Sequence, residues 1–99
     1  YNMNDRNNDS DREDCILYQN TPNPFNGSTE ISYYVTCEGC IIELQIYNMQ
    51  WSLLKTYTGL PAGSEQVTIE SGNHSAGIYL YTLVVNGETI DTKRMAVTK

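Results

Sequence analysis

Basic side chains are scarce in this 99-residue chain: six Lys and Arg stand against twelve Asp and Glu, giving a net charge of −6 and a pI near 4.5. So few cations argue against a broad electrostatic grip on nucleic acid or on anionic lipid. Long apolar runs are missing too. The longest, Ile78 to Val85, is interrupted by Thr82 and falls far short of the ~20 residues a membrane helix needs. Tyr1 to Asp14 do not show the positive-then-apolar order of a secretory leader. With only three Pro and seven Gly, collagen-like and fully disordered classes are excluded. No segment carries a 3.6-residue apolar stripe of helical length, and no internal repeat is visible. The chain is also too short for two domains.

Histidine is represented once, by His74 in a polar Gly-Asn-His-Ser loop. Nothing in the sequence supplies the nucleophile and orienting carboxylate that a catalytic base requires, and no Gly-x-Ser-x-Gly turn is present. No catalytic residue or cofactor is therefore expected, and no metal site is assigned.

What the chain does have is tyrosine: eight of its ten aromatic residues. Tyrosine suits half-buried sheet surfaces. Tyr1 to Asp14 hold four Asn, five Asp or Glu and two Arg, too little apolar surface to offset the entropy of ordering. Residues 1–14 are expected to be a flexible polar linker, and residues 15–99 one domain. A short strand is expected at Cys15-Ile16-Leu17-Tyr18. Gln19 to Gly27 follow, with Pro22 and Pro24 removing two backbone donors, which predicts a rigid connection outside any ladder, anchored by Phe25.

From Ser28 the pattern is strand, turn, strand. Ile31, Tyr33 and Val35 alternate against Glu30, Ser32 and Tyr34, and Ile42, Leu44 and Ile46 against Glu43, Gln45 and Tyr47, the period-2 signature of a half-buried strand. Further strands are expected over Ser52 to Thr58, Glu65 to Glu70, Ile78 to Val85 and Thr89 to Thr98. The Asn86-Gly87 pair between the last two is a strong hairpin signal, because a type I′ turn needs positive φ at both central positions. Six strands plus the short first one, at this spacing, predict an all-β antiparallel sandwich. Trp51, at a tight connection where alternation has ended, is expected to be exposed, packed flat on a neighbouring strand at most.

Cys37 and Cys40 bracket the turn between the second and third strands. A local disulfide, half of a zinc site completed by Cys15 and His74, and a pair of unpaired thiols in a hairpin all stay open. A thioredoxin-like redox pair wants a helix after the second cysteine, and none is predicted.

The run Leu17-Tyr18-Gln19-Asn20-Thr21-Pro22-Asn23-Pro24-Phe25, followed by Thr29-Glu30-Ile31-Ser32-Tyr33, resembles the opening signature of the type IX secretion C-terminal sorting domains of Gram-negative bacteria. Ile46-Tyr47-Asn48-Met49-Gln50 is similar to that family's central strand and turn. Ala76-Gly77-Ile78-Tyr79-Leu80-Tyr81 resembles its penultimate strand, and Asp91-Thr92-Lys93-Arg94-Met95 with Lys99 its last. The four motifs occur in order across Ile16 to Lys99. Two positions depart from the pattern: Cys37-Glu38-Gly39-Cys40 stands where Pro and acidic residues are common, and Trp51 where Gly is usual.

The resemblance implies an immunoglobulin-like sandwich of about seven strands that acts as an address on a larger protein. Its partners would be an upstream cargo domain in the same chain, an outer-membrane translocon and a sortase-like surface peptidase. The route would run through the periplasm to the cell surface or the extracellular space. Recognition residues implied in this way are Pro22, Asn23, Pro24 and Phe25 at the entry, Gly77 at the turn into the penultimate strand, Tyr79 on that strand, and Lys93, Arg94 and Lys99 as a positive end. A second class of function is a carbohydrate-binding or adhesion module, for which Tyr33, Tyr34, Tyr79 and Tyr81 would have to present an exposed row of rings.

Overall fold

The computed structural model describes residues 15–72 and 74–98. The expected linker over residues 1–14 lies outside these, as does Lys99. Seven strands follow one another: β1 (Cys15–Leu17), β2 (Ser28–Val35), β3 (Ile42–Tyr47), β4 (Leu53–Tyr57), β5 (Gly63–Glu70), β6 (Gly77–Val85) and β7 (Glu88–Val97). They form two antiparallel sheets, β1-β2-β5 and β4-β3-β6-β7. This is the immunoglobulin-like sandwich, with the fourth strand paired on the sheet that holds the third, sixth and seventh.

The predicted alternation closes the core. Ile31, Tyr33 and Val35 from β2, Ile42, Leu44 and Ile46 from β3, Val67 and Ile69 from β5, and Met95 and Val97 from β7 are all buried. β6 departs from alternation: every residue from Tyr79 to Val85 is buried. As an inner strand of the four-stranded sheet it is flanked on both sides. Tyr79, Tyr81, Leu83 and Val85 face the other sheet, while Leu80, Thr82 and Val84 lie between neighbours such as Tyr47 and Arg94, or Gln45 and Thr92. The Thr82 and Thr92 hydroxyls share a hydrogen bond of 2.9 Å there.

Asn86 (φ 52°) and Gly87 (φ 82°) take the two left-handed positions of the β6–β7 turn, as a type I′ turn demands. The Cys37-to-Cys40 turn is not a hairpin, which corrects the sequence reading. β2 and β3 belong to different sheets, so this turn carries the chain across the sandwich. Cys37 and Cys40 are joined there by a disulfide, with Cα atoms 5.8 Å apart. Asn86 Nδ2 donates to Cys40 Sγ at 3.2 Å, and the Asn86 carboxamide oxygen accepts the Ile41 N–H at 2.9 Å. The crossover is thereby tied to the β6–β7 turn.

Candidate functional site

The segment between β1 and β2 is where the structure differs most from the sequence reading. It is not free of ladders. Thr21 bridges Glu30 in antiparallel fashion, and Phe25 bridges Val97 in parallel fashion, so the segment is a strap joining the edge of one sheet to the edge of the other. Both X-Pro bonds in it, Thr21-Pro22 and Asn23-Pro24, are cis. Pro22, Asn23 and Pro24 are exposed, whereas Phe25 is 2% exposed and inserts into the core.

The strap covers the outer edge of β7. Phe25 N–H donates to the Ala96 carbonyl at 2.9 Å, and Thr98 N–H to the Phe25 carbonyl at 2.8 Å. Asn23 Oδ1 accepts the Ala96 N–H at 2.9 Å, and Gln19 Nε2 donates to the Arg94 carbonyl at 2.6 Å. A terminal strand whose backbone would otherwise template pairing with other chains is closed from Arg94 to Thr98.

Asn20, which the sequence reading passed over, organises the strap. It is 2% exposed. Its Nδ2 donates to the Pro22 carbonyl at 3.1 Å and to Thr29 Oγ1 at 3.0 Å, and its Oδ1 accepts from Gln19 Nε2 at 2.8 Å. The Thr29 hydroxyl donates to the same Pro22 carbonyl at 2.7 Å. From the opposite sheet the buried Tyr81 hydroxyl accepts the Asn20 N–H at 2.7 Å and donates to the Tyr18 carbonyl at 2.8 Å. Burial pushes this phenol up to about 12, with the Asp91 carboxylate adding to the rise and the Asn20 N–H opposing it. No local sequence signal singled out Asn20: an Asx side chain ordinarily accepts the N–H two residues on, but Pro22 has none, and Asn20 instead donates Nδ2 to the Pro22 carbonyl.

The basic residues of β7 do not form one cluster. Lys93 stands opposite Tyr81 and Arg94 opposite Leu80, so adjacent side chains point to opposite faces of the sheet. Lys93 lies on the sandwich-facing side at the rim, 3.5 Å from the Asp91 carboxylate. Arg94 is exposed on the outer face. Gly77 is the first residue of β6, opposite Val97, rather than part of a preceding turn.

Tyr79 belongs to the core: it is 9% exposed, stands opposite Met95 and donates its hydroxyl to the Ser75 carbonyl at 2.7 Å. Tyr33 and Tyr81 are buried as well, and Tyr34 alone of the four points outward. The exposed row of rings that a sugar-stacking face needs is not formed by this set. Cys15, opposite Val35, and His74, in the loop after Ser71, lie at opposite ends of β2, so they do not join Cys37 and Cys40 around one ion.

Trp51 is 58% exposed. Its ring meets Tyr47 edge-on, with centroids 5.2 Å apart at 62°, rather than lying flat. Its backbone holds φ 64°, a conformation that costs an L-residue about 1–2 kcal/mol. Asn48 enforces it. Asn48 Oδ1 accepts the Gln50 and Ser52 N–H groups at 2.9 Å each, and the Asn48 carbonyl accepts the Trp51 N–H at 3.0 Å.

The topology, the buried alternation and the clasped last strand define a single immunoglobulin-like β-sandwich. The family model of the secretion system C-terminal sorting domain matches residues 21–98, and the chain belongs to that family, the sorting domains of type IX secretion. Such a domain directs export to the cell surface or extracellular space and implies a cargo protein. No curated protein matches the chain. Among solved structures, the alkylpurine DNA glycosylase AlkC of Pseudomonas fluorescens, bound to DNA with an abasic site analogue, is similar at 16% identity and a TM-score of 0.51. The match covers 87% of this chain and 31% of that one, and it is a likeness of fold. A β-glucosidase mutant from Listeria innocua in complex with laminaribiose is similar at 16% identity and a TM-score of 0.44, over 86% of this chain and 16% of that one. The chain thus spans less than a third of the length of either.

Proposed function

We propose that this domain is a non-enzymatic address, read as a folded surface by an outer-membrane translocon while its cargo waits in the periplasm. A sortase-like surface peptidase then removes it and joins the cargo to the cell surface. The cargo lies upstream in the same chain, and cleavage falls within residues 1–14 or just before Cys15. The family membership supports the export role. The observation that carries the finer reading is the strap: with the β7 edge from Arg94 to Thr98 already bonded to Gln19, Asn23 and Phe25, the translocon reads side chains rather than adding a strand there. Pro22, Asn23 and Pro24 on the strap, with Arg94 and Lys99 at the end of the chain, are the residues proposed to carry recognition. Phe25, Tyr79 and Gly77 hold the surface in shape, and Lys93 contributes from the rim. Fusing residues 15–99 to a periplasmic reporter in a bacterium with this pathway tests the reading. Surface display of the reporter is expected; retention in the periplasm would contradict it.

A further inference from the structure

Cys37 and Cys40 are bonded only three positions apart, at the end of the sandwich beyond Ile42 and Val85. The strap bonds β7 from Arg94 to Thr98 at the other end, so the two features are independent. A cross-link this short removes little conformational freedom from the unfolded chain, and the sheets are held by a core that spans both. The bond therefore adds little to the fold, and the fold in turn does little to protect the bond.

The turn is open to solvent. Cys37 and Cys40 are half-buried, with Glu38, Gly39 and Ile41 exposed around them, and a Cβ at Gly39 would meet nothing within 4 Å. Its two sulfurs are not equivalent. Asn86 Oδ1 is committed to the Ile41 N–H, which fixes the orientation of the amide and turns Nδ2 toward Cys40 Sγ at 3.2 Å. Beside Cys37 Sγ lies instead the Glu38 carbonyl, at 3.9 Å. An N–H donor steadies a thiolate that forms on Cys40, whereas a carbonyl oxygen disfavours one on Cys37.

We infer that the Cys37–Cys40 disulfide is a thiol exchange site, at which the thiolate of a neutral or basic partner attacks Cys37 and displaces Cys40. The attacking sulfur bonds Cys37 Sγ as the Cys37–Cys40 bond breaks, and the electron pair of that bond leaves on Cys40 Sγ, where the Asn86 N–H meets it. The better leaving group thus directs attack to the opposite sulfur. A second thiolate then attacks the partner sulfur of the mixed disulfide, and Cys37 departs with the electron pair. Two partner thiols are oxidised to one disulfide, Cys37 and Cys40 are reduced to thiols, and two protons pass through water from the former to the latter. Charge narrows the partner. Glu38 lies within the turn and Glu88 opposite Val85 beside it. The cations of the described residues are remote: Lys55 stands level with Ile46, and Lys93 and Arg94 with Tyr81 and Leu80, about 13 Å down the sheet from Ile42 and Val85. An anionic thiol is therefore repelled.

The test uses the full chain carrying Cys15→Ser, so that only the bonded pair reports. Oxidised chain is mixed with excess cysteamine, a basic thiol, quenched with acid at short times and mapped by mass spectrometry. About tenfold more cysteamine is expected on Cys37 than on Cys40, the scale of one hydrogen bond to a charged atom. Circular dichroism of the reduced chain is expected to keep the native sheet signal. Asn86→Asp keeps the acceptor for the Ile41 N–H and tolerates the positive φ, but sets a carboxylate against Cys40. It is expected to slow reduction about three- to tenfold and to level the labelling. The anionic 3-mercaptopropionate, with each thiol referenced to an uncharged small disulfide, is expected to react about two- to fivefold more slowly than cysteamine, a gap that added salt closes. A lysine-flanked Cys-x-x-Cys peptide outpacing cysteamine at equal thiolate concentration assigns the site to a protein dithiol, and the reverse order to a small thiol. The inference is overturned by equal labelling of the two sulfurs, by preference for Cys40, by an unchanged rate in Asn86→Asp, or by a disulfide that reacts only when the chain unfolds; the wild-type labelling decides even where the variant misfolds.

Discussion

The hydroxyl of Tyr81, on β6 in the four-stranded sheet, accepts the backbone N–H of Asn20 at 2.7 Å, locking the strap against a strand that lies 61 residues further along the chain. Because the same hydroxyl donates to the Tyr18 carbonyl, it satisfies one buried backbone N–H and one partly buried carbonyl.

Tyr81→Phe is therefore expected to destabilise the domain by about 1–3 kcal/mol, since the Asn20 N–H is left buried without a partner. Tyr79→Phe, whose hydroxyl serves a carbonyl in the Ser71–Ala76 loop, is expected to cost less. Denaturant unfolding of the two variants checks the order; equal losses would contradict it.

Alkaline pH tests the same contact. The Tyr81 phenol, raised to about 12 in the folded chain, titrates near 10 when unfolded. Its contribution to stability is thus complete below about pH 10 and is lost as pH rises through about 12. Tyr33 and Tyr57 are shifted the same way, by burial first and then by the Glu65 and Glu70 carboxylates respectively. Unfolding monitored by circular dichroism should track the late phase of phenolate absorbance. Full phenolate absorbance near pH 10 with the sheets intact would show that these hydroxyls are not buried.

At the β6–β7 turn, Gly87→Val places a β-branched side chain at φ 82° and is expected to cost about 1–2 kcal/mol. A Cβ at Gly87 meets nothing within 4 Å, so the loss would come from the backbone and not from crowding. Unchanged thermal stability would count against this turn.

Trp51 should show the red-shifted emission of a wet indole and be readily quenched by acrylamide. A blue-shifted, unquenched spectrum would place the ring in a contact the fold does not contain.

The strands were legible because alternation is local: three repeats in β2 and three in β3 fixed their inward faces, and Asn86-Gly87 fixed the last hairpin. The opposite directions of Lys93 and Arg94 follow from the same period, although their closeness in sequence suggests a single patch. The strap was hidden because its partners are remote. Gln19 reaches Arg94 and Asn23 reaches Ala96, and neither pairing leaves a mark on neighbouring residues. Sheet membership was equally non-local: nothing in Cys37-Glu38-Gly39-Cys40 distinguishes a crossover between sheets from a hairpin. The double-sided burial of β6 shows in its unbroken apolar character from Leu83 to Val85, a signal that alternation alone does not read.

The central claim is that a folded surface, and not an open strand edge, is the address. It is tested by the surface-exposed fraction of a reporter fused to residues 15–99, compared with the same fusion carrying Lys93→Gln, Arg94→Gln and Lys99→Gln together. Arg94 is exposed and Lys93, half-buried at the rim, has only the 3.5 Å pair with Asp91; such charges contribute little to stability, so the triple variant should unfold at nearly the wild-type temperature while its reporter stays inside the cell. Display of the variant at the wild-type level would contradict the claim.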